Sequence, residues 1–126
     1  MNDHEFLHAF ESGHLHTFPH RDHIRMAWLY LRTCDENTAL RKVRQGIRQL
    51  AAALGASGKY HETLTVFWVK AVRNAMTADA ADFAAFEAKH PELFDAGYVK
   101  QFYSDGLLWS EAARQSWVEP DVKALA

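Results

Sequence analysis

The chain has 126 residues, with 14 lysines and arginines against 16 aspartates and glutamates, one cysteine, and 48% hydrophobic against 24% charged residues. That is the size and balance of one folded domain with a real core, which excludes a disordered or fibrous protein. The formal charge of -2 excludes the strongly basic footprint of a general nucleic-acid binder, and Cys34 alone excludes both a disulfide framework and a thiolate zinc site.

Helical periodicity dominates in chain order, and no segment alternates strictly as a half-buried strand would. Residues Asn2 to Ser12 form a first helix with Phe6 and Phe10 on one face, closed by Gly13. His14 to Phe18 is a connector. Pro19 suits the first turn of a second helix running to about Arg32. Thr33 and Glu36 have the spacing of a capping box, and Leu40, Val43, Ile47, Leu50 and Leu54 then recur at helical intervals until Gly55 and Gly58. A third amphipathic segment starts near Tyr60 and continues through Leu64, Trp68, Val72 and Met76. Beyond it the pattern breaks into a short helix over Asp82 to Lys89, a stop at His90-Pro91, fragments near Tyr98 to Tyr103 and Ser110 to Trp117, and a tail from Glu119-Pro120-Asp121. The expected fold is all-α: a compact bundle of about five or six helices forming a single domain over 1–126. The apolar run Met26 to Leu31 is far short of the ~20 residues of a membrane span. The first five residues carry no basic or apolar leader pattern, so the expected location is cytoplasmic.

Eight histidines outnumber six glycines, and six of the eight fall within the first 23 residues. At about 100° per residue, the helix from Pro19 places His20 and His23 within the stripe of Ile24, Ala27, Trp28 and Leu31. The same construction puts His61 in line with Leu64, Thr65, Trp68 and Val72, with Glu62 at the edge of the stripe. Short connections make alternate helices parallel, so His20, His23 and His61 are expected to meet at one end of the bundle. Each lies near a helix start, where the dipole favours neutral imidazole. Three neutral imidazoles with a nearby carboxylate are the usual composition of a catalytic zinc site with an open position. One divalent transition ion is therefore expected on His20, His23 and His61, zinc first, with nickel and iron also compatible. Glu62 is the expected general base on a bound water, and Tyr60 or Lys59 the donor to developing negative charge. Trp28 and Trp68 are expected to floor an apolar pocket beneath the histidines.

A di-iron centre is excluded by the lack of inward glutamates, and a zinc-protease helix by the absence of a second histidine after His61-Glu62. His14 and His16 read as loop residues, with a fourth ligand as their alternative role. His4 and His8 read as surface residues of a terminal helix, and His90 as a helix end. Arg41, Lys42, Arg44 and Arg48 read as a solvated helix face without interleaved aromatics, which makes nucleic acid an unfavoured partner and an acidic surface the alternative.

The segments Phe18-Pro19-His20-Arg21-Asp22-His23-Ile24-Arg25-Met26-Ala27-Trp28 and Lys59-Tyr60-His61-Glu62-Thr63-Leu64-Thr65 resemble a family of small uncharacterised all-helical bacterial proteins. Ala113-Arg114 and Trp117-Val118-Glu119-Pro120-Asp121 extend that resemblance over nearly the whole chain. It implies that the histidine segments are the hallmark and names no activity. In site design, three histidines in a small bundle are also similar to DinB-like metal-binding proteins. Two functions are expected to compete: a metal-binding protein extending to hydrolase-type water activation, or a non-catalytic helical module that binds a small ligand or a protein partner and uses its histidines structurally.

Overall fold

Of the five longer helices, all but the second begin where a side chain caps them. In the computed structural model, which describes residues 1–77 and 81–125, α1 spans Asp3–Glu11, and the Asn2 side chain accepts the Glu5 N–H at 2.8 Å. Gly13, at φ +74°, then turns the chain with a backbone conformation that disfavours a side chain. Helix α2 spans His20–Thr33. Pro19 sits one residue before it rather than inside its first turn, and its carbonyl accepts the Asp22 and His23 N–H groups.

Helix α3 spans Glu36–Ala53, and here the expected capping box is corrected. Thr33 still belongs to α2, where its hydroxyl bonds back to the Tyr30 carbonyl, so the cap falls to Asp35, whose Oδ1 accepts the Thr38 N–H at 2.7 Å. Leu54 is not a core residue of this helix. It is 50% exposed beyond the last turn, just before Gly55 reverses the chain at φ +69°. Helix α4 spans Glu62–Ala75 and starts two residues later than its apolar pattern, because His61 is its cap rather than its first residue.

The second part of the chain is built from short pieces: α5 (Phe83–Lys89), 3-10 turns at Pro91–Phe94 and Ala96–Gln101, α6 (Asp105–Leu108) and α7 (Glu111–Gln115). Helix α5 stops at His90-Pro91 as expected, with His90 as its C-terminal cap, and a 3-10 turn begins at Pro91. Among the described residues there is no strand, five helices have seven residues or more, and the fold is all-α. No helix among them is long and apolar enough to cross a membrane.

Helices α2, α3 and α4 pack on one another around a single apolar cluster that reaches from Phe6 to Leu108. Helix α1 is held against α3 by Phe10, whose ring lies where a side chain on Gly46 would stand. At the far end of the core, Trp28 packs on Phe83 and Phe86 at centroid distances of 5.6 and 6.0 Å. The C-terminal tail is tied down through Ser104, whose N–H and hydroxyl both donate to the Asp121 carboxylate at 2.8 and 2.6 Å.

Candidate functional site

The starts of α2 and α4 open onto one cavity of about 400 Å³, within the range of small-molecule sites. His20 and His23 from α2, His61 with Leu64, Thr65 and Trp68 from α4, and Ile47 and Ala51 from α3 line it. The other wall comes from Ala96, Val99, Lys100 and Trp109, and the glycine-containing loop adds Ala56, Lys59 and Tyr60. The structure thus brings the three expected histidines to one space, from two helices that begin at the same end.

Their hydrogen bonding differs sharply. The Nδ1 of His61 accepts the Leu64 N–H at 3.1 Å, capping α4, while its Nε2 lies 2.6 Å from the Leu108 carbonyl. An amide donor on one nitrogen and a carbonyl acceptor on the other fix a single neutral tautomer, protonated at Nε2, with its one free lone pair, on Nδ1, already engaged. Burial lowers the His61 pKa, with Arg114 acting in the same direction and the Leu108 bond opposing. His20 donates from Nε2 to the Leu93 carbonyl at 2.8 Å and meets Trp68 edge-on, with centroids 4.4 Å apart. Its pKa is also lowered by burial, against the Leu93 bond and the charge of Asp95.

His23 has no such arrangement. Its Nε2 is buried without a hydrogen-bond partner, and its ring lies 6.4 Å from His20 and 5.8 Å from Phe18. Burial, with a smaller contribution from His20, pushes its pKa down to about 3, so the ring is neutral. A buried imidazole nitrogen left unpaired costs about 1–3 kcal/mol, and among the described residues this is the one buried side-chain nitrogen or oxygen without a hydrogen-bond partner.

Glu62 is engaged elsewhere. Its Oε2 accepts from Arg44 Nε at 2.6 Å and its Oε1 from the Tyr60 hydroxyl at 2.5 Å, with Arg48 3.8 Å away. The carboxylate is buried and faces α3, and it is not part of the cavity lining. Tyr60 does line the cavity, under the Arg48 guanidinium at 4.7 Å from its ring centre. Burial and the Glu62 bond raise its pKa to about 12, which keeps the hydroxyl protonated as a donor. Among the described residues, no group of three or more His, Cys, Asp or Glu side chains is arranged to hold a metal ion.

Trp68 occupies the floor as expected, whereas Trp28 does not: its ring is turned to the α5 side of the core. His4, His8, His14 and His16 are all exposed, with His14 bonded to Ser12 at 2.8 Å. His90 packs on Phe86 at 5.0 Å. Of the basic run on α3, Arg41 and Arg48 are exposed as a solvated face would be, Arg48 lying over the Tyr60 ring, while Arg44 is half-buried against Glu62. Lys100, Trp109 and the carbonyls of Leu93 and Leu108 were not legible as site components. They lie in the segment where periodicity fails, and carbonyl groups carry no sequence signal. Thr63 was missed as well: its hydroxyl donates to the Ser116 carbonyl at 2.8 Å and accepts the Val118 N–H at 3.2 Å, joining α4 to the tail.

Comparison of the chain with protein-family models, curated proteins and solved structures gives no match.

Proposed function

We propose that this protein binds a small molecule in the cavity between the starts of α2 and α4, with its histidines serving as neutral hydrogen-bonding groups. The observation that carries this reading is a space of about 400 Å³ lined mainly by apolar and aromatic side chains, with His23, whose Nε2 is buried and unpartnered, among its lining residues. A convergent polar group in an apolar cavity is the ordinary design of a ligand site. Ligand-observed NMR against a fragment set tests it. Fragments should bind the native protein and lose binding in Leu64→Trp, which fills the cavity from α4, and in Ala51→Phe, which fills it from α3. If no fragment binds, or if binding survives in folded forms of both variants, the reading fails.

A second reading, a single divalent transition ion with zinc first, is favoured by the same nitrogen and by the His20–His23 spacing on one helix face. In it His61 would exchange its backbone bonds for the ion, and Glu62 would leave Arg44 to act on a bound water while Tyr60 donates. Elemental analysis of tag-free protein tests it. About one ion per chain, lost in His23→Ala and kept in His4→Ala and His8→Ala, would support the metal. Protein that stays metal-free after loading with zinc, nickel or iron would exclude it.

A further inference from the structure

The cavity has a charge character as well as a shape. None of its lining residues is an aspartate or glutamate, while Lys59 and Lys100 both line it. Neither lysine has an ion-pair partner among the described residues. The surrounding charges lean the same way. Arg114 donates to the Gly58 carbonyl at 2.7 Å, beside Lys59, and lies close enough to His61 to disfavour its protonation. Arg44 and Arg48 both approach Glu62, so that carboxylate is more than balanced. Asp95 acts on His20 from the other side, and its Oδ1 accepts the Gly97 N–H at 2.9 Å. Apolar surface is supplied by Trp68, Trp109, Leu64, Ile47 and Val99. Trp109 is 51% exposed and stands perpendicular to His61 at 5.6 Å, an aromatic side chain of the cavity lining that solvent reaches.

Resting on the ligand-binding reading, we infer that the guest is an amphipathic organic anion: an aromatic carboxylate or close relative, its ring among Trp68 and Trp109, its charge toward Lys59 and Lys100, and a polar atom toward His23 Nε2. A neutral ring of the same shape would gain the aromatic contacts and leave the lysines unanswered. A cation would meet like charge. Positive groups beside a low-dielectric cavity also speed the arrival of an anion, in a salt-dependent way.

Matched acid and amide probes test this: benzoate against benzamide, and 2-naphthoate against 2-naphthamide, titrated by calorimetry at neutral pH and low salt. Each acid is expected to bind about tenfold more tightly than its amide. In the doubly substituted Lys59→Met, Lys100→Met protein that ratio should fall to near one. Both lysines are exposed, so the variant is expected to fold. Equal affinity for acid and amide, or an acid preference that survives the double substitution, overturns the anion assignment and leaves the cavity reading standing. Binding by neutral fragments alone overturns the anion assignment in the same way. Absence of binding by every probe and every fragment overturns both.

Discussion

Residues 1–77 and residues 81–125 reach order by different means. The first region is a scaffold of four helices whose apolar stripes bury one another, and its internal register is set by side-chain packing such as Phe10 against α3. The second region has short helices and 3-10 turns that cannot supply a stripe of useful length. It contributes single residues such as Phe86, Leu93, Phe102 and Leu108 to the common core and adds specific polar contacts, including Ser104 to Asp121 and the Tyr103 hydroxyl to the Val118 carbonyl at 2.6 Å. The two meet at the histidines: His20 and His61 belong to the scaffold, and their Nε2 atoms bond carbonyls at Leu93 and Leu108 in the other region. The cavity lies on that seam. Its walls are rigid helix on one side and hydrogen-bonded turns on the other, which is the position where a guest can enter without disturbing the main core.

The seam should break most severely at His61. His61→Ala removes the α4 cap and leaves the Leu108 carbonyl without its donor, a joint cost of about 3 kcal/mol in denaturant unfolding. His61→Asn should recover about 1 kcal/mol of this by restoring the cap alone. A loss in His61→Ala below half a kcal/mol would mean that the two regions are not joined there.

The scaffold is probed separately by Gly46→Ala. The added Cβ would lie 2.1 Å from two Phe10 ring atoms, and Phe10 is stacked on Phe18 at 5.6 Å, so α1 must shift. Destabilisation of about 2 kcal/mol is expected, with chemical-shift changes concentrated in α1 and α3 rather than around the cavity.

Acid should act on the seam selectively. His20, His23 and His61 are each held below the ordinary histidine value of 6.5, so below that pH the unfolded chain binds protons that the folded chain refuses. Stability is therefore full above pH 6.5 and falls as pH drops, for His23 down to about pH 3. The slope is up to about 1.4 kcal/mol per unit of pH for each histidine. Unfolding free energies measured across this range should show the decline, and a flat profile down to pH 5 would refute it.

The smallest effect has the opposite sign. His23→Leu removes the unpartnered nitrogen from a buried position and should stabilise the fold by about 1 kcal/mol, while weakening whatever guest that nitrogen serves. Such an exchange of stability for binding is expected of a site that stores an unmet polar group. A loss of stability in His23→Leu would show that the nitrogen is satisfied in solution.

The contrast between regions also explains what could be read from the sequence. Periodicity located α1 to α4 to within a few residues and put His20 and His23 on the inward face of α2, because a long helix repeats its signal many times. The same rule put His61 on the side of Leu64, Thr65 and Trp68, where it lies, but inside the helix, since a residue at the head of an apolar stripe looks helical whether it starts the helix or caps it. It likewise drew Leu54 into α3, although the helix ends one residue earlier. Thr33 offered the spacing of a capping box, but Asp35 was closer to the helix start and α2 had not yet ended. Lys100 and Trp109 entered the cavity through tertiary folding alone, and no local pattern in residues 96–109 points toward α2 or α4. The pairing of Glu62 with Arg44 was hidden for a similar reason, since it joins side chains on two different helices.

The double bonding of His61 has a consequence for the order in which the chain acquires its structure. Its bond to Leu64 spans three residues and is available as soon as α4 nucleates, whereas its bond to Leu108 spans 47 and requires a long loop to close. Refolding should accordingly protect the Leu64 amide from hydrogen exchange early, and the ring should settle in its final orientation only when α6 arrives. The cavity would be the last part of the molecule to close.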